Sequence, residues 1–226
     1  MSIAEALPEA VSTPTDVVPS LQDVIERLGE IPLSRILSRP APGLATEADL
    51  LAVNQRKNRI CELVDGVIVE KGMGLRESLI AAALISMLRN HVLPRKLGLV
   101  SGEAGTLKLC PGLIRVPDVA FLPWARLPEG RVPSEPMPQI APELAIEVLS
   151  DSNTRSEMLR KREDYFRYGV DAVWEVDPRN RTLAVYERGV ASVRVLQQSE
   201  TLEAKGTLVG FSVVLSDLFA ELDRTS

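Results

Sequence analysis

Two cysteines and one histidine are all this chain of 226 residues offers to a soft metal. Cys61 and Cys110 have no metal or redox spacing and sit in apolar, strand-like surroundings, which predicts free thiols in a reducing compartment. With His91 as the single imidazole, a zinc site built on His or Cys is not expected. Aromatic residues make up 4% of the chain, and no apolar run is long enough to span a bilayer. The longest, Leu79 to Leu88, is broken by Ser86 and bounded by Glu77 and Arg89. The N-terminus lacks the basic start and apolar stretch of a signal peptide, so a cytoplasmic protein without a membrane partner is expected. A basic excess is also missing. The net charge is −5, and residues 1–50 account for all of it, with eight acidic and three basic side chains. The rest of the chain is balanced, so indiscriminate binding to nucleic acid through bulk charge is not expected.

What is present is an ordinary globular composition, 45% hydrophobic and 25% charged, with length enough for one good core. Residues 1–45 are rich in Pro, Ser, Thr and Ala and predict a poorly ordered or loosely docked acidic extension, with a short helix over Ser20–Leu28. Residues 46–226 read as a single domain. A helix is expected over Asp49–Arg59, capped by Thr46. Cys61 to Glu70 reads as a hairpin turning at Asp65-Gly66. The best helical periodicity runs from Ser78 to Leu93. A strand pair is expected at Gly98–Glu103 and Thr106–Cys110, then one strand over Ile114–Leu122. Leu144–Leu149 suits a central strand, followed by a helix to Tyr168 and a strand over Ala172–Val176. Leu183–Glu187, Ser192–Leu196 and Leu202–Val213 read as antiparallel strands before a closing helix at Leu215–Leu222. The order gives an α/β layer on a mixed sheet.

Two apolar runs each hold one carboxylate: Asp118 in Arg115–Pro123 and Glu147 in Glu143–Ser150. A carboxylate in a buried strand is costly unless a cation satisfies it. Two of them on neighbouring strands would suit a hard divalent metal, with the carbonyl of Val148 as a further oxygen ligand. That chemistry points to metal-assisted hydrolysis, with phosphodiesters as the usual substrate. Lys161, on the helix after Glu147, shares a helical face with Met158 and Tyr165. A lysine there either snorkels to the surface or pairs with a buried carboxylate. Glu77 opens the long helix, where an acidic side chain is favourable in any case, and could also assist at a metal. Glu62 and Glu103 read as solvent-facing, Trp174 and Tyr165 as core, and His91 as a partner of the helix dipole.

The series Glu62–Val69, Val116-Pro-Asp-Val-Ala-Phe121, Glu143–Ser150, Lys161-Arg-Glu-Asp-Tyr165 and Gly169–Pro178 resembles a large bacterial family named as restriction endonucleases, within the PD-(D/E)XK nuclease superfamily. The resemblance spans about residues 45 to 220. It implies a restriction-endonuclease-like core with a mixed central sheet, flanking helices and extra antiparallel strands. It also implies Mg²⁺-dependent cleavage of DNA, with Mn²⁺ as a substitute. Asp118 matches the aspartate of the Pro-Asp motif and Glu147 the second acid. Lys161 matches a lysine moved from strand to helix, and Glu77 the superfamily's helix glutamate. Two positions depart from the pattern: Leu149 stands where lysine is usual, and Arg76-Glu77-Ser78 where many members carry histidine. A homodimer is expected from the need to cut two strands. The other reading is a nuclease-like fold kept as a binding or assembly module without turnover.

Overall fold

The protein, represented by a computed structural model, is described over residues 20–57, 59–72, 74–223 and 225. The chain runs through α1 (Leu21–Arg27), α2 (Glu47–Lys57), β1 (Cys61–Val64), β2 (Val67–Glu70), α3 (Leu75–Val92), β3 (Gly98–Gly102), β4 (Leu107–Cys110), β5 (Leu113–Arg115) and β6 (Val119–Pro123). It continues through β7 (Leu144–Val148), α4 (Arg155–Arg167), β8 (Ala172–Asp177), β9 (Thr182–Glu187), β10 (Arg194–Gln197), β11 (Thr201–Glu203), β12 (Ser212–Val214) and α5 (Leu215–Phe219). The central sheet has the order β10-β9-β8-β7-β6-β3, and a second sheet has the order β2-β1-β5-β4. In the central sheet β7 and β8 run parallel, joined over the top by α4, and the remaining neighbours are antiparallel. This is the expected mixed α/β architecture, with β11 and β12 as an added antiparallel pair.

The period of two along β7 sorts its side chains between two cores. Leu144, Ile146 and Val148 pack with Ile80, Leu84 and Leu88 of α3. Ala145 faces the other way, toward Tyr165 of α4 and the Val64, Val67 and Val69 face of the hairpin. Glu147 shares that second face. α1 is capped by Ser20, and Val24, Leu28 and Ile31 are buried beside the hairpin and α4. Residues 20–45 of the expected extension are thus anchored in the core, while residues 1–19 lie outside the described residues.

Three strand assignments differ from expectation, the expected strand over Leu202–Val213 being two short ones, β11 and β12, that pair with each other. β3 and β4 do not pair with one another: β3 joins β6 in the central sheet and β4 joins β5 in the second. The expected single strand over Ile114–Leu122 is split between the same two sheets. The cause sits at Val116-Pro117-Asp118. Pro117 has no N–H to give a ladder, and the Val116 N–H donates to the Glu62 carboxylate at 3.0 Å. The chain leaves one sheet, turns, and enters the other, and Asp118 stands at the crossing.

The hairpin turn is as expected, with positive φ at Asp65 (50°) and Gly66 (71°). A Cβ on Gly66 would lie 2.4 Å from the Gly43 carbonyl oxygen, so both backbone angle and space demand glycine. Gly66→Ala is expected to destabilise the fold by roughly 1 kcal/mol or more, read as a lower melting temperature.

Candidate active site

Glu147 leaves the middle of the sheet on the face covered by α4. Thr154 caps that helix, accepting from the Glu157 N–H at 2.9 Å, and so sets which residues point inward. Glu157, Lys161, Asp164 and Tyr165 follow at helical spacing and are all buried. Lys161 Nζ donates to Glu147 Oε2 at 3.0 Å and lies 3.2 Å from Glu62 Oε1. The Tyr165 hydroxyl donates to Glu147 Oε1 at 2.6 Å. Both oxygens of Glu147 are therefore held from the helix side.

Asp118, 2% exposed, reaches Glu147 from the strand crossing. Its Oδ2 accepts the Val148 N–H at 2.7 Å and its Oδ1 accepts from Lys71 Nζ at 2.6 Å. The next N–H, of Leu149, points the other way, to Val176 of β8. In an extended strand the N–H and C=O of one residue point to the same side, so the Val148 carbonyl faces Asp118. Lys71 completes the group. Its Nζ also donates to the Val116 carbonyl at 2.5 Å and stands 3.6 Å from Glu147 Oε2. The two acids thus converge on one cationic nitrogen.

Lys71 was not among the residues singled out from sequence. The signal was present: Val67 and Val69 face the buried side of the hairpin, and the period of two carries Lys71 to the same side. Glu62 corrects an expectation. It is 1% exposed rather than solvent-facing, because β1 is buried on both faces. Arg115 Nη1 donates to Glu62 at 2.8 Å and Arg115 Nη2 to Asp164 at 2.5 Å. Arg35, also buried, forms a two-pronged pair with Glu157 at 2.7 and 2.9 Å. Asp118, Glu147, Glu62 and Asp164 are thereby linked through Lys71, Lys161 and Arg115 in one buried network, with the Arg35–Glu157 pair as a separate buried ion pair on the same helix.

Glu77 stands apart from these contacts. Its carboxylate accepts the Gly74 N–H at 2.9 Å and closes the start of α3. Ser78 and Ala81, on the next turn, line a cavity of about 360 Å³ that Asp118 also lines, with Gly102 and Glu103 opposite. His91 lies in the last turn of α3, as expected, and is buried edge-on to Phe211.

Residues 47–217 match the Uma2 family, described as "Putative restriction endonuclease". The chain belongs to this family. The family resemblance read from the sequence is thus confirmed over most of its span. The crystal structure of "a putative nuclease belonging to DUF820" from Anabaena variabilis is similar to the chain with a TM-score of 0.68 at 21% identity. The match covers 78% of this chain and 98% of that one, and at this identity it shows a shared fold. No curated protein matches the chain.

The charges of the site set definite directions of titration. Burial and the neighbouring Glu147 charge push the Asp118 carboxyl above its ordinary value, against the pull of Lys71. Burial alone would raise Glu62, but Lys161 and Arg115 outweigh it and hold Glu62 far below the ordinary range. The same burial is outweighed at Glu157 by the Arg35 pair, so its carboxyl is also lowered. Lys161 is held above its usual value, because Glu147 and Glu62 overcome its burial.

A lowered carboxylate stabilises the fold above its unfolded pKa, about 4.3 for Glu, and that stability is lost as the pH falls toward the folded value. Asp118 acts with the opposite sign. With Glu62 and Glu157 dominant, the melting temperature should be flat from neutral to about pH 5 and fall steeply below about pH 4. Glu157→Gln should make the acid-side decline shallower, which calorimetry across pH would show.

No cluster of three or more His, Cys, Asp or Glu side chains suits a metal among the described residues. The donor set at the crossing, two carboxylates and one carbonyl, is all oxygen. It fits a small hard cation that keeps several waters. The Lys71 ammonium, shared by both acids, marks where positive charge is accommodated.

Proposed function

We propose that the chain is a Mg²⁺-dependent endonuclease hydrolysing DNA phosphodiester bonds, with Mn²⁺ able to replace Mg²⁺. The observation that carries this reading is the convergence of Asp118 and Glu147 on one cationic point beside the Val148 carbonyl. Family membership supports the same chemical class. Asp118, Glu147 and Val148 would hold the metal. When bound, it supplies Lewis-acid stabilisation of phosphoryl charge and a more acidic attacking water.

The chain's own residues do the remainder. Asp118 is fixed by the Val148 N–H through one oxygen, and its other oxygen is turned to Lys71. Lys161 is engaged by Glu147 and Glu62, and with Tyr165 it acts as a positioning residue that fixes both oxygens of Glu147. Glu77 orders the start of α3, the wall of the cavity next to Asp118. Small side chains at Ala81 and Gly102 leave room there for a nucleic-acid backbone. Two copies of the chain would place one site on each strand of a duplex.

Incubation of the purified protein with supercoiled plasmid, single-stranded DNA and RNA, each with Mg²⁺ and with a chelator, tests the reading. Chelator-sensitive nicking or linearisation of DNA is the expected result. Intact DNA at saturating Mg²⁺ and Mn²⁺ would leave only a binding module, and cleavage of RNA alone would overturn the DNA assignment.

A further inference from the structure

Lys71 has a second property beyond completing the buried network: it occupies the place a divalent cation needs. Its ammonium lies 2.6 Å from Asp118 Oδ1, 3.6 Å from Glu147 Oε2 and 2.5 Å from the Val116 carbonyl. A Mg²⁺ ion binds carboxylate oxygen at about 2.0–2.1 Å. An ion bridging the same two oxygens would collide with Nζ, and the two positive charges would repel across a buried site. The lysine and the metal are therefore alternatives. The backbone at this point is fixed, with the Lys71 N–H donating to the Ile60 carbonyl at 2.9 Å. Next to it, a Cβ on Gly72 would lie 2.0 Å from the Ser152 hydroxyl. The side chain, with four rotatable bonds, is the part free to leave.

From this geometry we infer that Lys71 is a tethered cation that closes the Asp118–Glu147 site in the metal-free protein and is displaced when a divalent ion binds. This rests on the metal-site reading above and adds a device to it. In the closed state Lys71 neutralises a carboxylate that burial would otherwise leave costly. A protein whose binding-competent state is a minor fraction binds its ligand more weakly by that fraction. Removing the ammonium should therefore tighten metal binding while loosening the metal-free fold. The second lysine, Lys161, does not substitute for it, because its contacts are to Glu147 and Glu62 and not to Asp118.

The experiment is calorimetric titration of Mn²⁺ into the full chain and into Lys71→Met, with melting curves of both taken without and with Mn²⁺. The expected result is a dissociation constant at least about tenfold lower in the variant. Its melting temperature should be lower without Mn²⁺ and rise more than wild type when Mn²⁺ is added. Lys71→Gln keeps a donor for the Val116 carbonyl and carries the same test if the methionine variant does not fold. Equal or weaker binding in a folded variant overturns the inference and leaves the metal site standing. Absence of Mn²⁺ binding in both wild type and folded variant overturns the inference and the metal-site reading together.

Discussion

Asp118→Asn is expected to lower metal-dependent DNA cleavage by about 100- to 1000-fold, the range that removing one charge-stabilising group costs. The melting temperature should stay within a few degrees of wild type. The two halves of this expectation have separate physical causes. Asparagine has the size of aspartate and can still accept the Val148 N–H that aligns position 118 with β7. It cannot supply the negative charge needed beside Glu147 to hold a divalent ion. Stability is spared because burial already disfavours the charged form of Asp118, as its raised carboxyl shows. Lys71 keeps the Val116 carbonyl and Glu147 as partners, so loss of its Asp118 contact strands no charge, and the burial of a second carboxylate is relieved. Cleavage within tenfold of wild type, by a variant that melts normally, would remove Asp118 from the mechanism.

Arg115→Met should have the largest effect on the fold. The guanidinium is 4% exposed and serves Glu62 on one side and Asp164 on the other. Methionine fills the volume and leaves two buried carboxylates short of their partner. Breaking a buried pair in this way costs about 3–5 kcal/mol, chiefly because an uncompensated charge remains behind. For a chain of this size each kcal/mol moves the melting temperature by roughly 2–4 °C, so a drop of about 6–20 °C is expected. Adding Glu62→Gln to Arg115→Met should restore part of the loss, since one of the stranded charges is then gone. The two substitutions share a network, so their effects are not additive. A single variant that melts with wild type would show that the network is not a stabilising element.

The legible part of the site was the part carried by isolated residues. Asp118 and Glu147 each interrupt an apolar run, and a lone carboxylate in such a run needs a cation. The hairpin announced itself through Asp65-Gly66, and α4 through Thr154 and the spacing of Met158, Lys161 and Tyr165. The illegible part was carried by partners far away in the chain. Arg35 meets Glu157 across 122 positions, and nothing local to a Pro-rich stretch foretells that pairing. Glu62 lies next to apolar residues on a strand buried on both faces, where alternation no longer separates inside from outside. The break at Pro117 was misjudged because an apolar run continues through it. The missing N–H counts for more than the hydrophobicity, and it moves β5 and β6 into different sheets. Lys71 was overlooked because it sits one residue past a strand, where a lysine ordinarily meets water.

The central claim is that Asp118 and Glu147 share one divalent cation. A crystal of the wild-type chain soaked in saturating Mn²⁺ and measured for anomalous scattering tests it most directly. The account predicts a single strong peak within roughly 2.6 Å of an oxygen from each acid and of the Val148 carbonyl, with Lys71 turned away. A site without a peak, and with Lys71 still bridging both acids, would contradict it.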